Sequence, residues 1–423
     1  MRGSLHKNIS LLSAFSIAAG AMISSGLFVL PGVVYTDVGP AIILVYLLGG
    51  VLMIPTIFSQ AELATAMPKA GGEYNYIMRI IGAPAGMIAG FASWFSVAMK
   101  SAFALIGIGT FLTLINPGVP EFQIRLLAAG AAIFFTIVNL FSTKHSGNLQ
   151  TIMVLALMAI LTLFLIKGYP NIEMDHYQNF FAKGPVAFFT AVGMIFISFG
   201  GLTNIASMSE EITDSGKNLP RAMFLAFIVM MAFYILVIAT VVGVLPHETL
   251  AGSLTPISTA AKYFAGNIGL VLMSITAMLA FVTTANAGIM SSSRVALALG
   301  RDDLIPGFFT KLSDKHKTPY TSVLFTGGVI TVIILSLHID SLVKVASAMM
   351  LFLYILINAS LIIIRNINLR NYRPTVKAPL FPYLQMAAIG VYLILIYEMG
   401  ATILLMTIFV IFLCMVWFYF YAR

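Results

Sequence analysis

Apolar residues run along this chain in blocks of roughly 20, the length an α-helix needs to cross the hydrocarbon layer of a bilayer. Gly, Pro or charge cuts the blocks apart. About twelve spans can be placed on that pattern, near residues 10–35, 40–66, 84–115, 122–141, 149–167, 185–209, 222–245, 264–299, 320–338, 342–364, 382–399 and 401–421. The final two are parted by little more than Gly400, so Met399-Gly400-Ala401 also reads as a bend within one long segment.

Two of the blocks interrupt themselves. The first packs small and polar residues into Ala19-Gly20-Ala21-Met22-Ile23-Ser24-Ser25-Gly26-Leu27-Phe28, and the sixth does so in Ile197-Ser198-Phe199-Gly200-Gly201-Leu202. Unwound backbone at membrane depth survives only where protein or a wet cavity satisfies its N–H and C=O groups. A matched pair of breaks, in spans one and six, is the arrangement expected of an inverted repeat of five helices plus five with a midplane site. The organisation expected is therefore an all-α membrane protein. Residues 1–167 would form the first repeat, 168–377 the second, and 378–423 two additional helices.

Composition narrows the class. Hydrophobic residues make up 60% of the chain and charged residues 9%, with a mean hydropathy of +1.00, whereas a soluble domain is about one quarter charged. The net charge of +8 is distributed unevenly along the chain. With the N-terminus inside, the inner side collects Lys7, Lys69, Arg79, Lys144, Lys217, Arg221, Arg294, Arg301, Arg365, Arg373 and Lys377. The outer side keeps only Arg125, Lys167, Lys183, Lys262 and Lys344. Short loops rich in Lys and Arg stay cytoplasmic, so both termini are expected inside a cell membrane and the basic balance is no nucleic-acid footprint. Cys414 stands alone, which excludes an intrachain disulfide. The outer loop with Asp175, His176 and Tyr177 lacks metal-ligand spacing. Nor does any span carry a nucleophile, base and orienting group at useful spacing, so an enzyme is not expected.

The breaks, together with four further segments, resemble the amino acid/polyamine/organocation transporters, which have the leucine-transporter-like fold. The segments are Pro68-Lys-Ala-Gly-Gly-Glu-Tyr-Asn-Tyr76, Glu210-Glu211, Lys217-Asn-Leu-Pro-Arg-Ala222 and Gly300-Arg-Asp-Asp-Leu-Ile-Pro306, each at the end of the expected span. Glu62, Glu73, Glu210 and Glu211 lie near inner-side Lys69, Arg79, Lys217 and Arg221 in the sequence. They read either as ion pairs of an intracellular gate or as ordinary helix-end pairing.

A broken helix offers N–H groups to a carboxylate at the start of its second half and C=O groups to a cation at the end of its first. A zwitterionic amino acid carries both charges. The resemblance implies that Ser25 and Gly26 bind the carboxylate, and that the Met22, Ile197 and Gly200 carbonyls accept the ammonium. Ser198 lies within this second break. The family often has an aromatic gate where this chain has Ile197, so Phe196 and Phe199 are the candidate covering rings. Close helix packing by the small residues is the competing reading.

In span eight, the Ala280 carbonyl and the Thr283 and Thr284 hydroxyls fall within one turn, and with the Gly20 and Ile23 carbonyls they would give five oxygen ligands. The arrangement resembles the sodium site of sodium-coupled members of the fold; Ser/Thr back-bonding to helix carbonyls is the ordinary alternative. Sodium-independent relatives commonly place a Lys on span five, where this chain has Met158. Sodium coupling is favoured on that ground over proton coupling or exchange, and no other cofactor is expected.

Lys100 is the exception to an apolar third span. It sits about 20 Å from either end at ~1.5 Å per residue, too deep for its stem to snorkel. An ionisable group at that depth is a functional candidate. Three readings are open: a contact to the substrate side chain, a neutral Lys that carries a coupled proton, and an interhelical hydrogen bond to Ser or Asn. The function expected is ion-coupled transport of an amino acid, with a non-transporting sensor or partner-dependent subunit as the reading of another class.

Overall fold

A computed structural model describes residues 9–67, 72–116, 118–141, 147–178, 180–181, 184–209, 211–313, 318–367 and 372–422. Among them the chain is helical, apart from one isolated parallel bridge between Ile9 and Ile212. Eight helices are long and apolar enough to cross a bilayer, and four shorter apolar ones, including Leu11–Met22 and Gly184–Phe199, accompany them. Each span expected from the sequence has a helical counterpart.

The helices are α1 (Leu11–Met22), α2 (Leu30–Val38), α3 (Ile42–Ala66), α4 (Gly72–Ile80), α5 (Ala83–Thr110), α6 (Glu121–Phe141), α7 (Gly147–Gly168), α8 (Gly184–Met194), α9 (Ser215–Val244), α10 (Pro256–Arg301), α11 (Tyr320–Ser336), α12 (Ile339–Ile367), α13 (Tyr383–Glu398) and α14 (Ala401–Trp417). Their ends follow local chemistry. Ser10 caps α1 by accepting the Ser13 N–H at 3.2 Å, which satisfies one donor that the first turn leaves orphaned. Gly82, at φ 123°, turns the chain into α5. In α9, Pro220 has no N–H to offer the Gly216 carbonyl one turn earlier, and the Thr375 hydroxyl donates to that carbonyl instead at 2.5 Å. The 46 residues of α10 exceed one crossing and bend at Gly266, whose φ of 58° and ψ of −151° lie outside the helical region. The stretch from Pro256 to the bend therefore precedes the span placed at residues 264–299.

α5 is the most enclosed element, buried from Trp94 to Thr110 at nearly every position. It packs against α10, α12, α6, α4 and α11. α6 and α14 instead present exposed rows such as Ile133, Phe134 and Ile137, or Ile408, Phe409 and Phe412, apolar surface of the kind lipid covers. The interrupted helices lie inside this arrangement, with α1 against α9 and α7, and α8 against α3, α12 and α13.

Candidate functional site

α1 stops because the backbone leaves the helical region at Ile23 (ψ 93°) and is extended at Ser24 (φ −152°, ψ −155°). A single turn, Ser25–Phe28, restarts the helix, with the Ser24 carbonyl accepting the Leu27 and Phe28 N–H groups at 2.9 and 3.1 Å. As first residues of that turn, Ser25 and Gly26 have N–H groups without intrahelical acceptors. The Ser24 and Ser25 hydroxyls are fully buried and have no hydrogen-bond partner. The Ser16, Thr284 and Ser292 hydroxyls are also buried without a partner, and each such group calls for an explanation.

The second break begins where α8 ends. A turn at Phe196–Phe199 and a 3₁₀ segment at Thr203–Met208 replace continuous helix. The two breaks touch through backbone. A Cβ on Gly201 would fall 2.3 Å from the Ala21 carbonyl carbon, and one on Gly26 would fall 2.4 Å from Ser198 Oγ. Glycine is required at both positions because no side chain fits there.

The carbonyl end of the first break is satisfied from neighbouring helices. Lys100, on α5, donates from Nζ to the Ala21 carbonyl at 2.8 Å and is 6% exposed. The Tyr234 hydroxyl, on α9, lies 2.9 Å from the Met22 carbonyl and 3.0 Å from the Ser198 carbonyl. Tyr46, on α3, donates to the Gly26 carbonyl at 2.6 Å, and the Ser198 hydroxyl reaches the same oxygen at 3.3 Å. Neither tyrosine is distinguishable by sequence reasoning from the other aromatic residues in the apolar blocks. The signal that could have found them is a hydroxyl at the depth of a break.

At the second break the Ile197 N–H donates to Ser347 Oγ at 3.2 Å, and the Ile197 carbonyl accepts the Gly200 N–H at 3.4 Å. Met350 lies over Gly200, where a Cβ would meet its methyl group at 1.7 Å. Phe196 packs toward Tyr392 and Tyr354, with ring centroids at 5.6 and 6.4 Å, and Phe199 packs toward Tyr234 at 5.5 Å. Both rings are buried. A third ring, Phe281 of α10, meets Phe28 edge-on at 6.0 Å beside the first.

The five oxygen groups expected to hold sodium fit unevenly. The Thr284 hydroxyl is buried and unpartnered, whereas Thr283 back-bonds to the Leu279 and Ala280 carbonyls at 2.9 and 3.0 Å. α10 packs against both α1 and the Ser25–Phe28 turn. Met158 is half-buried on α7, and its carbonyl accepts from Thr162 at 2.8 Å.

Near the end of α3 the carboxylate of Glu62 is fully buried. It accepts from Arg365 Nε at 2.7 Å, from Arg365 Nη2, from the Tyr372 hydroxyl at 2.9 Å and from the Ala378 N–H at 2.6 Å. The sequence pairing with nearby basic residues is corrected here: Arg365, 303 positions away, is the partner. Arg365 also lies 4.4 Å from the centre of the Phe381 ring, and a cavity of about 370 Å³ lined by Glu62, Arg365, Tyr372, Lys377 and Phe381 opens beside it. Lys217 pairs instead with Asp214 at 3.7 Å. Glu73 accepts from Gln60 at 3.2 Å. Tyr74 donates to Asp302 at 2.6 Å, joining the segment after span two to the one after span eight. Burial, and then the Asp302 carboxylate, hold the Tyr74 hydroxyl well above its usual range. Lys7, Lys69, Lys144, Lys183 and Glu210 lie outside the described residues, as do the first four residues of the Pro68–Tyr76 segment.

The cavity reaching Gly200, lined also by Glu73, Ser93, Ser96, Met350 and Tyr354, holds about 10 Å³, at the lower limit for one water molecule.

A family model described as amino acid permease matches residues 9–422. The chain is 25% identical over 414 residues to the branched-chain amino acid permease BcaP of Bacillus subtilis, covering 94% of this chain and 89% of that protein. The methylthioribose transporter of the same organism is also 25% identical, with the same shares covered. Its serine/threonine exchanger SteT is 25% identical over 399 residues, covering 91% and 89%. A match from the ninth residue to the penultimate one leaves no part of the bundle outside the comparison, and the chain belongs to the amino acid permease family of the amino acid/polyamine/organocation superfamily.

Proposed function

We propose that this protein is a secondary transporter that carries an amino acid across the cell membrane by alternating access, with both termini cytoplasmic. The observation that carries the reading is the meeting of two interrupted helices at buried groups that are unsatisfied on one side only. Ser24 and Ser25 have free hydroxyls and the turn after them has free N–H groups, which suits a carboxylate. The Met22, Ile197 and Gly200 carbonyls would take the ammonium, with the Met22 oxygen shared with Tyr234. Two relatives named for branched-chain amino acids and for serine and threonine support a neutral substrate. The five-plus-five repeat, residues 1–167 against 168–377, belongs to the same proposal.

Sodium is the coupling ion this reading favours. Gly20, Ile23, Ala280 and Thr284 would hold it, and Thr283 would join after releasing its own helix carbonyls. When bound, the ion neutralises the negative end of α1. A second reading has its own observation: Lys100 already donates to the Ala21 carbonyl, which suits a proton carried by that amine.

Counterflow of labelled neutral amino acids into proteoliposomes containing this chain alone tests transport. Binding without counterflow would make it a sensor or a partner-dependent subunit. Replacing sodium with choline at fixed pH and voltage tests coupling. Unchanged uptake overturns the sodium reading, and loss of pH dependence in Lys100→Met with uptake retained would favour the proton.

A further inference from the structure

Two tyrosines from different helices hold the breaks in register. The Tyr234 hydroxyl lies between the Met22 carbonyl at the end of α1 and the Ser198 carbonyl of the second break, at 2.9 and 3.0 Å. A hydroxyl has one proton to share between them. Tyr46 donates to the Gly26 carbonyl, the oxygen that Ser198 Oγ also approaches. The Tyr46 and Tyr234 rings lie 5.4 Å apart at 57°, and Phe199 meets Tyr234 edge-on. All of these groups are buried, so water cannot replace a lost hydroxyl without a change in packing.

We propose that Tyr46 and Tyr234 form a positioning clamp for substrate binding. This rests on the transport reading above. Neither hydroxyl needs to touch the substrate. Tyr234 fixes the separation between a carbonyl of the first break and a carbonyl of the second, and that separation decides whether one ammonium can reach both sides. Tyr46 fixes the first turn after the break, and with it the direction of the Ser25 and Gly26 N–H groups. The ring contact makes the two ends of the cradle move together, so the carboxylate and ammonium subsites keep one spacing. Since the α-carboxylate and α-ammonium have a fixed spacing in every α-amino acid, a clamp of this kind selects for that pair and not for the side chain.

Tyr46→Phe and Tyr234→Phe remove only the hydroxyls. Each is expected to raise the KM for amino acid uptake about fivefold to tenfold, the scale of one hydrogen bond, with the maximal rate kept within about twofold. The double variant is expected to show less than the product of the two effects, because both act on one register. Discrimination against the α-amide or N-acetyl form of the substrate, offered as a competitor, should be smaller in the variants than in wild type. A role in folding alone would instead lower the yield of monodisperse protein and the maximal rate together and leave KM unmoved; that result overturns the clamp. If the double variant does not fold, the single variants and Ser198→Ala, which removes one donor to the Gly26 carbonyl, carry the same KM test. Absence of counterflow by the wild type would overturn the transport reading instead, so the two failures are distinguishable.

Discussion

Two buried polar regions of this protein are built on opposite plans. Around Glu62 every acceptor is met: a guanidinium, a phenol and a backbone N–H converge on one carboxylate. At the first break the carbonyls of Ala21 and Met22 are met by Lys100 and Tyr234, while the hydroxyls of Ser24 and Ser25 are left without partners. A saturated network ties elements together, and an unsaturated one keeps capacity for something that arrives later. The contrast sets a network that holds helices together at Glu62 against one with free capacity at the first break.

The largest effect that tests this division is at the Glu62 network. Arg365→Met leaves the Glu62 carboxylate buried with two donors, and breaking a buried pair in this way costs about 3–5 kcal/mol. A drop of many degrees in the unfolding temperature of detergent-purified protein is expected; no change would mean that the Glu62 network is incidental. Gly201→Ala places a methyl group against the Ala21 backbone. It is expected to cost about 1–3 kcal/mol as overpacking and to hold the breaks apart, read as greater labelling of a cysteine placed at Ser96. Ser25→Ala should leave the unfolding temperature unchanged or raise it, since an orphaned hydroxyl is removed, and should weaken amino acid binding about tenfold, as for a hydrogen bond to a charged group. A loss of stability with unchanged KM would erase the contrast between the regions. The smallest effects separate the two threonines of α10: Thr284→Ala should remove the sodium stimulation of uptake, and Thr283→Ala should alter apparent sodium affinity by no more than about threefold.

Much of this was legible in the sequence, because the bilayer imposes one length on every span and small residues inside an apolar run mark an interruption. Lys100 was equally plain, a charge too deep to reach water. What it touches was not. A carbonyl freed by a broken helix has no side-chain signature, so the Ala21 contact could not be named from residue types alone. Glu62 failed for a different reason. Basic residues near it in the chain suggested partners, and the true one is brought in by the packing of α12 on α3. Tyr46 and Tyr234 were hidden by abundance, two phenols among many aromatic positions, distinguished only by which carbonyl lies within reach.

The bridge at Ile9 has a consequence of another kind. The Ile9 N–H donates to the Glu211 carbonyl and the Ile9 carbonyl accepts from the Thr213 N–H, both at 3.0 Å. This stitches the segment before α1 to the segment after the second break. Both stitches are main chain, so almost any residue could stand at Ile9 or Ile212 without loosening them; only proline at 9 or 213, by deleting a donor, would cut one. The join between the entry to the first broken helix and the exit from the second is therefore indifferent to most sequence drift, a pin written in backbone.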